Sequence, residues 1–312
     1  MVLHLKRRGI RPVRFHPQSI GRTTSLSLRW EAGRWEWSLS LPGWAEPVRH
    51  PDIGSVWYRR TRFARHPDLE PEDAAFVESE TREAVMGLYR LTEDVFWVSH
   101  PDRQRQAESK PWQLGVAQSC GFRVPRTLLT NEPAELRRFF EECQGEVVFK
   151  TLTQGAIGAE KGQGIYTSRV SREQILDGEA IRCGPCLFQQ LIPKALDLRV
   201  TVIGERVFPV EIHSQDSDAG RIDWRRGQLS ALKHQRHTLQ AEVEQTCLEL
   251  VKRMGLRFGA IDLVLTPKGE YVFLEINPSG QFAWMESAAG IKLIEPLADL
   301  LIEGAHRRED SR

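Results

Sequence analysis

The sequence predicts an α/β (α+β) protein made of several subdomains that share one cleft. Three observations carry that expectation. At 312 residues the chain exceeds the size, roughly 250 residues, at which a single core stops growing. Strand-sized apolar runs alternate with helical periodicities along its length. Two adjacent strand candidates near the C-terminal end, 259–265 and 271–276, carry carboxylates inside apolar runs, which a hydrophobic core alone does not explain.

The first hundred residues read as a small α/β domain. Leu3-His4-Leu5-Lys6-Arg7-Arg8-Gly9 is a helix end, and the strand that would precede it is missing or lies upstream. Strand signals follow at 13–15, 26–30, 35–39, 55–58 and 95–98, with Glu31-Ala32-Gly33-Arg34 as a turn. Pro71, Glu72 and Asp73 open a helix whose apolar positions Phe76, Val77, Val85, Leu88 and Tyr89 recur at helical spacing. The alternating Trp30, Trp35 and Trp37 are expected in the core of this domain.

A second unit begins near Ser109, which caps a helix running to Cys120. Residues 133–143 are helical and Val147-Val148-Phe149-Lys150 is a strand. The segment with Gly155, Gly158, Gly162 and Gly164 is a flexible hairpin. A third unit holds strands at 187–192, 198–203 and 206–212, a helix at 239–254, and the closing pair 259–265 and 271–276. His213, His234 and His237 are candidate ligands or proton carriers, but Lys233-His234-Gln235-Arg236-His237 reads as a polar loop and surface placement is expected.

Composition narrows the function. With 43 basic and 42 acidic side chains there is no global field, and nucleic acid is not implied. Residues 1–65 nevertheless hold thirteen Lys and Arg against four acids, a solvated basic face that also suits an acidic partner. Five cysteines, an odd number with no secretory segment ahead of them, fit the cytoplasm. Cys183-Gly184-Pro185-Cys186 has redox spacing, but it runs into a strand rather than opening a helix. The apolar runs are too short to span a membrane.

The chemistry concentrates at the closing strand pair. Alternate residues of a strand share a face, so Glu275 and Asn277 point together and Asp262 can face them from the partner strand. Three hard oxygen ligands suit Mg²⁺, which takes one or two carboxylates and completes its shell from nucleotide phosphates. Lys150, ending the strand before the glycine-rich loop, and Lys110, opening the preceding helix, can each set an ammonium against phosphate oxygens. The loop's glycines let backbone N–H groups approach phosphate closely, although a plain hairpin would share that composition.

The order Lys110, Lys150, glycine-rich loop, Phe188-Gln189-Gln190-Leu191-Ile192, Asp197-Leu198-Arg199, Asp262 and Glu275-Ile276-Asn277-Pro278 resembles the ATP-grasp superfamily. Within it, Ser55-Val56-Trp57-Tyr58-Arg59-Arg60, Ile222-Asp223-Trp224-Arg225 and Asn277-Pro278-Ser279-Gly280-Gln281-Phe282 are similar to the graspetide ligases, which cyclise microviridin-type ribosomal peptides. The resemblance implies an ATP-grasp fold: an N-terminal pre-ATP-grasp α/β domain at 1–108, a central lid domain at 109–186 and a C-terminal domain with the metal site at 187–312. It implies ATP and Mg²⁺ as cofactors, with Lys110 and Lys150 on the phosphates and Gln189, Gln190, Leu191 and Ile192 at the adenine hinge. Asp197 belongs to the nucleotide-binding set, Arg199 to the transferred phosphoryl group, and Asp262, Glu275 and Asn277 to magnesium.

The implied reaction phosphorylates a carboxylate and lets an amine or hydroxyl displace phosphate. The implied partner is an acidic precursor peptide with leader and core, and a homodimer is kept open. Arg225 faces either substrate or a structural ion pair. A stand-alone amino acid or peptide ligase, resembling ribosomal protein glutamate ligases or glutathione synthetases, would share every nucleotide residue.

Overall fold

The computed structural model describes residues 1–59, 61–153, 156–157, 163–227 and 232–309. Arg60 and the loop glycines Gly155, Gly158 and Gly162 lie outside the described residues. The chain divides into two compact units, 1–104 with 294–312, and 105–293.

The first unit opens with α1 (Val2–Arg7) and a hairpin of β1 (Ser25–Glu31) and β2 (Arg34–Ser40), joined on its far edge by β3 (Val48–Arg49). Ala32 and Gly33 turn the hairpin at φ 50° and 78°, the positive values a two-residue turn needs to match strand twist. β4 (Ser55–Trp57) and β5 (Phe96–Val98) pair in parallel, with α2 (Pro71–Arg90) between them in sequence. α2 starts on Pro71 with Glu72 and Asp73 in its first turn and ends on Arg90, so its charges complement the helix dipole. Residues 13–15 form no strand. Trp37 is buried as expected, but Trp30 and Trp35 are 59% and 48% exposed. They sit opposite each other at the hairpin tip, and their rings lie 5.6 Å apart.

α3 (Pro101–Ala107) carries the chain into the second unit, which begins with α4 (Lys110–Ser119). A four-stranded antiparallel sheet follows, ordered β10-β7-β11-β6, from β6 (Thr127–Thr130), β7 (Val147–Lys150), β10 (Ser168–Arg169) and β11 (Cys186–Gln190). α5 (Pro133–Glu142), α6 (Arg172–Asp177) and α7 (Glu179–Arg182) accompany it, and Phe139, Phe140, Val147, Ile175 and Phe188 form its core. The short pair β8 (Ala156–Ile157) and β9 (Gln163–Gly164) springs from the end of β7.

The larger sheet is ordered β14-β13-β12-β15-β16 and is antiparallel throughout. Its strands are β12 (Leu196–Ile203), β13 (Arg206–Ile212), β14 (His234–Arg236), β15 (Phe258–Leu265) and β16 (Tyr271–Asn277). β14 falls in the segment expected to be a surface loop. His213 and His237 are half-buried against Glu211, at 3.1 and 2.6 Å, and His234 packs on the Trp284 ring. One face of the sheet buries Leu198, Val200, Val202, Ile261, Leu263 and Phe273 beneath α8 (Ala241–Arg253). α9 (Ala283–Ala289) closes this unit. The last helix, α10 (Ile294–Glu309), belongs with the first unit rather than with 187–293. Its buried Arg308 donates to the Ile53 carbonyl, to His50 and to Asp94.

Candidate active site

Three neighbouring strands set their polar residues in one row. Arg199 on β12 lies opposite Asp262 on β15, and Asp262 lies opposite Glu275 on β16. Directly opposed residues stand about 5 Å apart on one face, so guanidinium and carboxylates converge. A bulge makes this convergence possible. Leu263 pairs with Phe273 while Asp262 pairs with Glu275, which leaves Leu274 as an extra residue on β16. Regular alternation would put Glu275 on the same face as Phe273, which is core. The extra residue reverses the phase, so Ile276 joins the core and Glu275 and Asn277 turn to the site.

Lys110, the first residue of α4, reaches Glu275 Oε2 at 2.5 Å. Lys150, the last residue of β7, is buried and interacts electrostatically with Glu275, Lys110, Arg225 and Asp262. Arg225 is held in two-pronged fashion by buried Asp223, Nε to Oδ1 at 2.8 Å and Nη2 to Oδ2 at 2.6 Å. Asp223 also accepts the Thr167 N–H at 3.0 Å, tying this loop to the strand that leaves the glycine-rich hairpin. Arg225 therefore makes the structural ion pair and acts on the site carboxylates as well.

The charges are strongly coupled. Burial alone would raise the Glu275 carboxyl, but Lys110, Lys150 and Arg225 hold it well below the ordinary carboxylate range. Burial pushes Asp262 up to about 6, with Arg199 opposing and Glu275 adding to the rise. Desolvation lowers the Lys150 ammonium, and Glu275 partly offsets it. Lys110, Lys150, Arg199 and Arg225 thus surround Asp262, Glu275 and Asp223, a cationic surplus that suits a polyanion.

The residues also fit a divalent cation. Arg199 Nε lies 3.1 Å from Asp262 Oδ1, close enough for charge attraction, yet neither atom has an aligned hydrogen-bond partner. A buried carboxylate oxygen left without a donor is costly unless a cation takes it up. Among the described residues no three His, Cys, Asp or Glu side chains are placed to hold a metal ion together, so the candidate set is two carboxylates and an amide. That is the sparse protein shell Mg²⁺ accepts when phosphates supply the rest. Gly280 closes over the row: a Cβ there would lie 2.4 Å from Ala260 Cβ and 3.4 Å from Arg199 Nη1.

The other expected residues are held by partners of their own. Gln189 is buried and donates to Thr127 Oγ1 at 3.0 Å. The N–H groups of Gln190 and Leu191 bond the carbonyls of Arg126 and Glu146, both at 2.9 Å, and Ile192 packs with Val264 and Val272. Asp197 is buried between Lys194, at 2.8 Å, and the Ser214 hydroxyl, at 2.5 Å, and burial raises its carboxyl. The sequence alone does not reveal Asp223 as the anchor of Arg225. Nor does it reveal Trp224, whose ring lies 5.4 Å from the Arg199 guanidinium carbon and 5.6 Å from the Trp284 ring.

A family model for the RimK-like ATP-grasp domain matches residues 108–301. A probable alpha-L-glutamate ligase of Haemophilus influenzae is 25% identical over 263 residues, 81% of this chain and 83% of that one. A RiPP-associated ATP-grasp ligase of Chryseobacterium gregarium, solved with ADP and a leader and core peptide, superposes with a TM-score of 0.87. It is 29% identical, covering 97% of this chain and 91% of that one. The macrocyclase MdnC of Microcystis aeruginosa, solved with the precursor peptide MdnA, gives 0.84 at 28% identity, covering 97% and 94%. With the matched domain spanning the row of Arg199, Asp262 and Glu275 together with both lysines, the chain belongs to the RimK-like ATP-grasp family and is an ATP-grasp ligase.

Proposed function

We propose that the chain joins carboxylates to amines or hydroxyls within a ribosomally made precursor peptide, forming lactam or lactone rings. The cross-strand row and its cationic surround carry the phosphoryl-transfer chemistry, and the likeness to a ligase solved with a leader and core peptide supports the peptide substrate. Lys110 and Lys150 would meet the phosphates of ATP, bound between the lid at 109–186 and the sheet that follows, with adenine at 189–192. Asp262, Glu275 and Asn277 would hold Mg²⁺, which neutralises phosphate charge when bound. Arg199, buried and with two nitrogens that make no hydrogen bond, would hold the transferred phosphoryl group or the acyl phosphate. The γ-phosphoryl passes to a carboxylate oxygen, ADP leaves, and an amine or hydroxyl attacks the acyl carbon as phosphate departs. This path needs alignment and charge neutralisation more than a strong base.

A peptide substrate is supported by the solved ligases, whose similarity extends over nearly the whole chain, one solved with a leader and core peptide and the other with a precursor peptide. Residues 1–65, with thirteen Lys and Arg against four acids, would supply counter-charge for an acidic peptide. A leader bound outside the ATP site would hold several carboxylates in turn at high local concentration. The similar probable alpha-L-glutamate ligase favours a second reading, a stand-alone amino acid or peptide ligase that takes free glutamate. ADP release measured with a leader-bearing acidic peptide, with the same core lacking its leader, and with free glutamate separates the two. The proposal expects turnover to depend on the leader; equal turnover with free glutamate overturns it.

A further inference from the structure

A single side-chain amide fastens the strand that carries Glu275 and Asn277, and it does so at the residue between them. β16 is the outermost strand of its sheet, so every second residue turns its N–H and C=O away from β15 and needs partners elsewhere. At Ile276 both groups are met by Gln113. The Ile276 N–H donates to Gln113 Oε1 at 3.1 Å, and Gln113 Nε2 donates to the Ile276 carbonyl at 2.9 Å. Its other hydrogen goes to the Ala107 carbonyl at 2.6 Å. The amide therefore stands in for a neighbouring strand, one residue long, and it is buried.

Gln113 lies on α4 three residues after Lys110, hence on the same helix face one turn along. That face presents the ammonium that pairs with Glu275 and the amide that grips the backbone beside it. Nearer the start of β16 the edge is held by backbone, where the Phe273 N–H donates to the Arg123 carbonyl at 2.9 Å. An apolar side chain here could still pack α4 on the sheet, but it would leave the buried Ile276 N–H and C=O without partners. The bulge at Leu274 sharpens the need, because a strand whose phase has just been reversed requires a fixed register after the reversal.

We propose that Gln113 is a positioning residue: by clamping Ile276 it sets Glu275 and Asn277 against Lys110, and so governs how well the site takes a divalent cation with nucleotide phosphates. This rests on the nucleotide and metal reading above. Groups that orient metal ligands without touching the metal commonly tune its affinity.

The test compares Gln113→Met, which keeps side-chain length and removes every hydrogen bond, with Leu250→Ala, a truncation on α8 in the same apolar cluster. Two readouts are taken on the full chain: amide exchange across 271–277 without nucleotide, and the Mg²⁺ concentration that half-saturates binding of a fluorescent ADP analogue. We expect Gln113→Met to speed exchange at Ile276 and to raise the Mg²⁺ requirement about tenfold. Leu250→Ala should lower Tm at least as far and change neither readout. An unchanged Mg²⁺ requirement in Gln113→Met, or the same rise in both variants, overturns the positioning role alone. If wild-type protein binds the analogue without any response to Mg²⁺, the metal reading fails and the inference falls with it.

Discussion

Replacing Glu275 by Gln removes a charge on which three cations lean. Lys110 contacts it at 2.5 Å, with both side chains about four-fifths buried, and Lys150 and Arg225 add longer-range attraction. Deleting one partner of a buried pair typically costs about 3–5 kcal/mol. The lower end applies here, about 3 kcal/mol, because desolvation already lowers Lys150 and lets it shed its proton as relief. The sign with pH follows from the depressed Glu275 carboxyl: its stabilisation is complete above the ordinary glutamate range and is lost only as pH falls beneath it. A measurement at neutral pH therefore sees the whole effect. For a unit of about 190 residues, 105–293, a change of about 3 kcal/mol lowers Tm by about 6–12 °C. Lys110→Met combined with Glu275→Gln should recover much of that loss, since both members of the contact are then gone. Binding of a fluorescent ADP analogue without Mg²⁺ should hold or tighten, because the ammoniums lose their internal competitor, while the gain from adding Mg²⁺ disappears. A Tm within about 2 °C of wild type, together with an undiminished response to Mg²⁺, would make Glu275 a bystander at a strand end.

Three further outcomes follow from the same geometry. Lys150→Ala or Arg199→Ala should abolish peptide-dependent ADP release and leave the circular dichroism spectrum unchanged; full turnover in either removes that residue from the site. Asp223→Asn should loosen Arg225 and raise KM for an acidic peptide about tenfold, one charged hydrogen bond's worth, with little change in KM for ATP. In the first unit, Arg308→Met strips donors from Ile53, His50 and Asp94 and should lower that unit's thermal transition, read by calorimetry, while nucleotide binding stays intact.

Much of the site could be read from the chain because its residue types are uncommon inside apolar runs. Asp262 and Glu275 stand out among Ile261, Leu263, Leu274 and Ile276, and the pairing of β15 with β16 sets them opposite each other. The face they share could not be read the same way. Strict alternation treats 275 and 277 as a set but cannot foresee that Leu274 reverses their side relative to Phe273; only the register shows it. Arg225 was ambiguous in sequence because its anchor Asp223 is local while its influence on Glu275 and Asp262 is tertiary. Trp30 and Trp35 follow the strand period that buries Trp37, yet periodicity marks a face and not how far along the strand that face is covered. The return of α10 to the first unit is a long-range packing choice with no local signature.

The central claim, peptide macrocyclisation by acyl phosphate chemistry, is tested most directly by mass spectrometry of a leader-bearing acidic peptide incubated with the protein, ATP and Mg²⁺. The account predicts loss of one water per ring, dependent on the leader and absent from Lys150→Ala. A product heavier by a glutamyl residue, or a peptide of unchanged mass beside steady ADP formation from free glutamate, would contradict it.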